Sequence, residues 1–114
     1  MLKYKIRPGS GNIKKKPAIF LLHGYGSNMD DLFSFAPYLP TSHDIIAFQA
    51  PLSLGFGSYA WYPIGIDNMG AVTSELDAAR SIVDRIIKNI DLLSERYGLD
   101  SEDLSILGFS QGAI

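Results

Sequence analysis

Apolar residues follow several distinct patterns along the chain. Met1-Leu2-Lys3-Tyr4-Lys5-Ile6 alternates, as a strand with one covered face does. Ala18-Ile19-Phe20-Leu21-Leu22 and Ile45-Ile46-Ala47-Phe48 are unbroken apolar runs, the pattern of parallel strands covered on both faces. Leu104-Ser105-Ile106-Leu107 predicts one more buried strand. Leu76, Ala79, Val83, Ile86, Ile90 and Leu93 recur at spacings of three and four and predict a long helix with one apolar face. Thr73 or Ser74 would cap its start, Glu75 and Asp77 suit its first turn, and Gly98 would stop it. Asn28 predicts the cap of a shorter helix, with Asp30 and Asp31 in its first turn and Pro40 at its exit. Pro8-Gly9-Ser10-Gly11-Asn12 is a turn signal between the first two strands. Strands alternating with helices predict an α/β fold with a mostly parallel sheet and crossover helices. The long helix is then a crossover packed on the sheet rather than a partner-binding or membrane-surface helix.

Composition narrows this picture modestly. Hydrophobic residues make up 46% of the 114, enough for a core, and no repeat, low-complexity stretch or linker divides the chain. Residues 1–114 therefore read as part of one domain. A net charge of −2 gives no reason to expect nucleic acid or an anionic membrane as partner. Lys14-Lys15-Lys16 reads as a solvated loop that guards an apolar strand from aggregation. The absence of cysteine excludes disulfides and thiolate metal sites. The first residues lack the apolar core of a signal peptide, and no run approaches a membrane span, so a cytoplasmic location without stable membrane insertion is the expectation.

The chemistry is concentrated in two places. Gly108-Phe109-Ser110-Gln111-Gly112 spells Gly-x-Ser-x-Gly, the nucleophile elbow in which small flanking residues let a strand turn sharply into a helix and expose a serine oxygen. A bare five-residue match is weak evidence, but the apolar run before it and the helix-compatible residues after it supply the required order. Ala18–Leu22 ends in His23-Gly24-Tyr25-Gly26, a glycine-rich loop able to aim backbone N–H groups at an oxyanion. Following the pattern of such folds, the two donors would be the amides of Tyr25 and Gln111. An ordinary strand-ending turn is the alternative for His23-Gly24 taken alone.

Four segments together resemble the phospholipase/carboxylesterase family of α/β-hydrolases, which includes acyl-protein thioesterases and bacterial carboxylesterases. They are Leu21-Leu22-His23-Gly24-Tyr25-Gly26-Ser27, Gln49-Ala50-Pro51, Trp61-Tyr62 and Gly108-Phe109-Ser110-Gln111-Gly112-Ala113. The resemblance implies an α/β-hydrolase fold and a cofactor-free, metal-free enzyme cleaving small acyl esters or thioesters, with Ser110 as nucleophile. It covers the N-terminal half of such an enzyme. Pro63 departs from the acidic residue that many members carry there.

Between Pro51 and Gly70, aromatic residues are interspersed with glycines, as a mobile loop over an acyl pocket requires. Trp61 and Tyr62 are the pocket candidates, ahead of Phe56 and Tyr59; covering the core edge is their alternative role. Asp67 precedes Ser110 and so falls outside the Ser, Asp, His order of the triad. His43 reads as an exposed loop residue. The triad Asp and His are thus expected beyond Ile114. A chain that stopped there would leave Leu104–Leu107 as an exposed apolar edge, to be hidden by dimerisation or a complementary chain. In that case the fold would survive as a non-catalytic module. Dienelactone hydrolases, peptidases and lipases share the elbow, and the Gln49 and Trp61 segments favour the esterase group over them.

Overall fold

The computed structural model describes residues 1–10, 16–62 and 71–109, with residues 71–76 described by their backbone alone. The expectations for Gly11 and Asn12, Lys14-Lys15, Pro63, Asp67 and the elbow residues from Ser110 to Ala113 lie outside the described residues. So do those for the side chains of Thr73, Ser74, Glu75 and Leu76. The elements run β1 (Tyr4–Arg7), β2 (Lys16–Leu22), α1 (Met29–Phe33), a 3₁₀ turn (Ala36–Tyr38), β3 (Asp44–Phe48), β4 (Leu52–Gly55), β5 (Ser58–Ala60), α2 (Ala71–Tyr97) and β6 (Leu99–Gly108).

Four strands form one sheet in the order β1-β3-β2-β6. β3 and β6 flank β2 in parallel, with Leu22 opposite both Phe48 and Gly108, while β1 runs antiparallel on β3. This is the mixed, mostly parallel sheet that the alternation of strands and helices predicts. The unbroken apolar runs serve two cores at once. Ala18, Phe20, Leu22, Ile46 and Phe48 face the cluster that includes Ile82, Ile86 and Leu93 of α2. Their neighbours Leu21, Ile45 and Ala47 face Leu32 of α1 and Ala36. Phe20 stacks on Phe48 at 5.6 Å between ring centroids, fixing the register at the centre of the sheet.

Asn28 caps α1 as expected, its side chain accepting the N–H of Asp31 at 2.9 Å. Gly98 ends α2 with a φ of 64°, the left-handed conformation that glycine adopts without strain. Two expectations need correction. α2 starts at Ala71 rather than after Thr73 or Ser74. Its covered stripe is Ile82, Ile86, Asn89 and Leu93, so Val83, at 45% exposure, lies off it. The polar Asn89 breaks the apolar pattern because its Oδ1 accepts the N–H of Leu2 at 2.9 Å. The segment read as a mobile loop holds, in its first part, an antiparallel hairpin of β4 and β5. β6 forms one edge of the described sheet, and Ile106 and Leu107 are exposed there.

Candidate active site

Of the described site candidates, His23, Gly24, Tyr25 and Gly108 lie where β2 and β6 end side by side. Gly108 closes β6 opposite Leu22, and the N–H of Phe109 donates to the Leu22 carbonyl at 3.1 Å. The parallel ladder therefore fixes the backbone up to the residue before Ser110. Ser110, Gln111 and Gly112 lie outside the described residues. From β2 the chain continues through His23, Gly24 and Tyr25, so the glycine-rich loop and the elbow strand leave the same edge of the sheet.

His23 is buried, at 1% exposure, and both of its ring nitrogens are committed. Nδ1 lies 2.8 Å from the Gly24 carbonyl, to which it can only donate. Nε2 accepts the N–H of Ala50 at 3.0 Å, so the ring is the neutral tautomer with its proton on Nδ1. Burial pushes the His23 pKa below the ordinary value of 6.5, and the Gly24 carbonyl and the charge of Asp31 oppose that shift only in part. Trp61 stacks on the imidazole at 5.2 Å and donates its indole N–H to the His23 carbonyl at 2.7 Å. Sequence reasoning missed this lock, because its partners Ala50 and Trp61 lie 27 and 38 residues away.

Beyond His23 the loop is pinned to the hairpin. Gly26 donates to the Tyr59 carbonyl and Tyr59 donates to that of Ser27, each at 2.9 Å. Asn28 reaches the Gly57 carbonyl through its side-chain amide at 3.0 Å. Gly26 takes a φ of 79°, and that positive angle is what bends the loop back toward the hairpin. Tyr25 is partly exposed, and among the described residues no acceptor receives its N–H.

An open pocket of about 280 Å³ lies at this edge, lined by His23, Gly24, Ser27, Asp31, Leu32, Phe35 and Phe109. Phe35 and Phe109 stack nearly parallel, 6.0 Å apart, and give it an apolar wall. Trp61 is 4% exposed and belongs to the larger core, where it backs the His23 ring. Tyr62 packs against the same core. Neither aromatic is among the described residues that line this pocket.

A family model described as Phospholipase/Carboxylesterase matches residues 9–114. The chain belongs to the phospholipase/carboxylesterase family. Solved structures agree with that membership. Esterase PE8 superposes with a TM-score of 0.75 at 28% identity, covering 98% of this chain and 54% of that one. A phospholipase/carboxylesterase from Dyadobacter fermentans DSM 18053 gives a TM-score of 0.68 at 27% identity, covering 99% of this chain and 50% of that one. YahD, solved with malic acid, has a TM-score of 0.77 at 20% identity over 99% of this chain and 53% of that one, a likeness of fold alone. The chain spans about half the length of these structures. No curated protein matches it. Among the described residues, no helix of this family member is long and apolar enough to cross a membrane.

Proposed function

We propose that the whole protein hydrolyses carboxylic esters or thioesters through an acyl-enzyme on Ser110. The observation that carries this reading is the shared edge of β2 and β6. Phe109, which precedes Ser110 in the sequence, is bonded to Leu22 at the start of the loop whose Tyr25 N–H has no acceptor among the described residues. Ser110 Oγ would attack the acyl carbonyl carbon while its proton passes to a general base. The amides of Tyr25 and Gln111 would receive the negative charge on the carbonyl oxygen, each such donor being worth roughly 3 kcal/mol of barrier. Collapse of the tetrahedral intermediate would expel the alcohol or thiol, and water would then release the acid.

The chain has two histidines, and neither suits the role of base. His23 has its only lone pair committed to the Ala50 N–H. His43 precedes β3, whose Asp44 pairs with Ala18, so it sits at the opposite edge of the sheet from His23. Six residue steps along β2, from the level of Pro17 to His23, separate the two, roughly 20 Å. The proposal therefore assigns the base, and the acid that orients it, to residues outside these 114. Ser110→Ala in the whole protein tests it: ester turnover should fall by about 10³-fold or more with the fold intact. Turnover at the wild-type rate would move the nucleophile elsewhere.

A further inference from the structure

Gln49 lies just beyond β3, is 9% exposed, and has no part in the chemistry proposed above. Its side-chain Oε1 accepts the N–H of Met29, the first residue of α1, at 2.7 Å. That N–H is one of the donors a helix start leaves without an intrahelical partner. Asn28 serves another, the N–H of Asp31. Local capping thus accounts for one orphan donor, while a second is met from a strand end 20 residues away.

The neighbouring residue completes the arrangement, since the Ala50 N–H holds His23 Nε2. Two consecutive residues therefore grip the segment from His23 to Met29 at its two ends. Tyr59 grips its middle through Gly26 and Ser27. Gly24 is held through its carbonyl by His23 Nδ1 and the Ser27 N–H, which leaves Tyr25 between the grips. A donor aimed at an oxyanion must be held within about 0.5 Å of its productive position, and an error near 1 Å can cost about 10²-fold in rate.

We propose that Gln49 is a positioning residue for the Tyr25 amide, its side-chain oxygen anchoring the start of α1 and hence the far end of the donor loop. This rests on the acyl-enzyme reading above, so the test has two stages. Wild-type whole protein is first treated with a fluorophosphonate. Absence of a Ser110 adduct would sink the acyl-enzyme reading itself. With the adduct present, Gln49→Leu removes the acceptor and Gln49→Glu keeps an oxygen at the same reach.

The leucine variant should lose about 10- to 100-fold in kcat with KM changed by less than about twofold, and its backbone amides from Gly24 to Asp30 should exchange faster. The glutamate variant should recover most of the kcat and the wild-type exchange. Wild-type kcat in folded Gln49→Leu, or equal damage from both substitutions, would overturn the proposal while leaving Ser110 in its role. Gln49→Met repeats the test if the leucine variant does not fold. Failure of both apolar variants to fold would make Gln49 a determinant of the fold and would equally overturn the positioning role.

Discussion

Acidification should destabilise this protein through His23, by an amount that can be isolated. In the folded state Nε2 accepts from Ala50 and Nδ1 donates to Gly24, so a second ring proton would face an N–H group. Burial makes that proton still less welcome and holds the pKa below 6.5. Above the unfolded value both states carry neutral imidazole and the full contribution is present. As the pH falls below about 6.5, unfolded chains bind a proton that folded chains refuse, and stability drops by up to about 1.4 kcal/mol per pH unit. The loss levels off once the pH passes below the folded pKa. Urea unfolding of the whole protein between pH 7.5 and pH 5, compared with His23→Gln, reads this slope, because carboxylates common to both cancel in the difference. The glutamine variant should be less stable at pH 7.5 and should close part of that gap toward pH 5. Parallel stability curves would show that His23 accepts its proton while folded, and the lock as described would be wrong.

Other substitutions test the frame around the site. A Cβ on Gly9 would collide with the Ser42 carbonyl oxygen and lie 2.8 Å from its carbon, so Gly9→Ala should cost about 1–3 kcal/mol in urea unfolding; a neutral result would refute the close approach. Phe56 is fully exposed with a φ of 54°, and Phe56→Gly should stabilise the hairpin by about 1 kcal/mol, whereas a loss would show that the ring makes contacts of value. Trp61→Phe removes the donor to the buried His23 carbonyl and should cost about 1–3 kcal/mol, measured by circular dichroism because the substitution itself alters tryptophan fluorescence; an unchanged midpoint would count against that hydrogen bond.

The sheet was legible because its central strands are covered on both faces, which leaves unbroken apolar runs such as Ala18–Leu22. The helix was legible as a helix, and Ile86, Ile90 and Leu93 of its predicted face do pack on the core. Its start and the exposure of Val83 were not legible. Asn89 occupies a buried position on the strength of one long-range bond to Leu2, and a hydrophobic pattern passes over it in favour of neighbours such as Val83. The hairpin escaped notice because its turn depends on positive φ at Gly55, Phe56 and Gly57, and Phe56 is a residue that such turns rarely carry. At the site, the motifs picked out His23 and Gly24 but not how they are held. His23 read as a strand-ending residue, yet its partners come from Ala50 and Trp61. The Gln49-Ala50-Pro51 segment carried the family resemblance, while its side-chain bond to Met29 becomes visible only when β3 lies beside β2.

Ser110, which follows the Leu22-bonded Phe109 in the sequence, is proposed to form the covalent acyl intermediate. Treating the whole protein with a fluorophosphonate and mapping the adduct by peptide mass spectrometry tests it most directly. One adduct is expected, on the peptide containing Phe109-Ser110-Gln111, formed in step with the loss of esterase activity. An inactivated enzyme with its adduct on any other residue would contradict it.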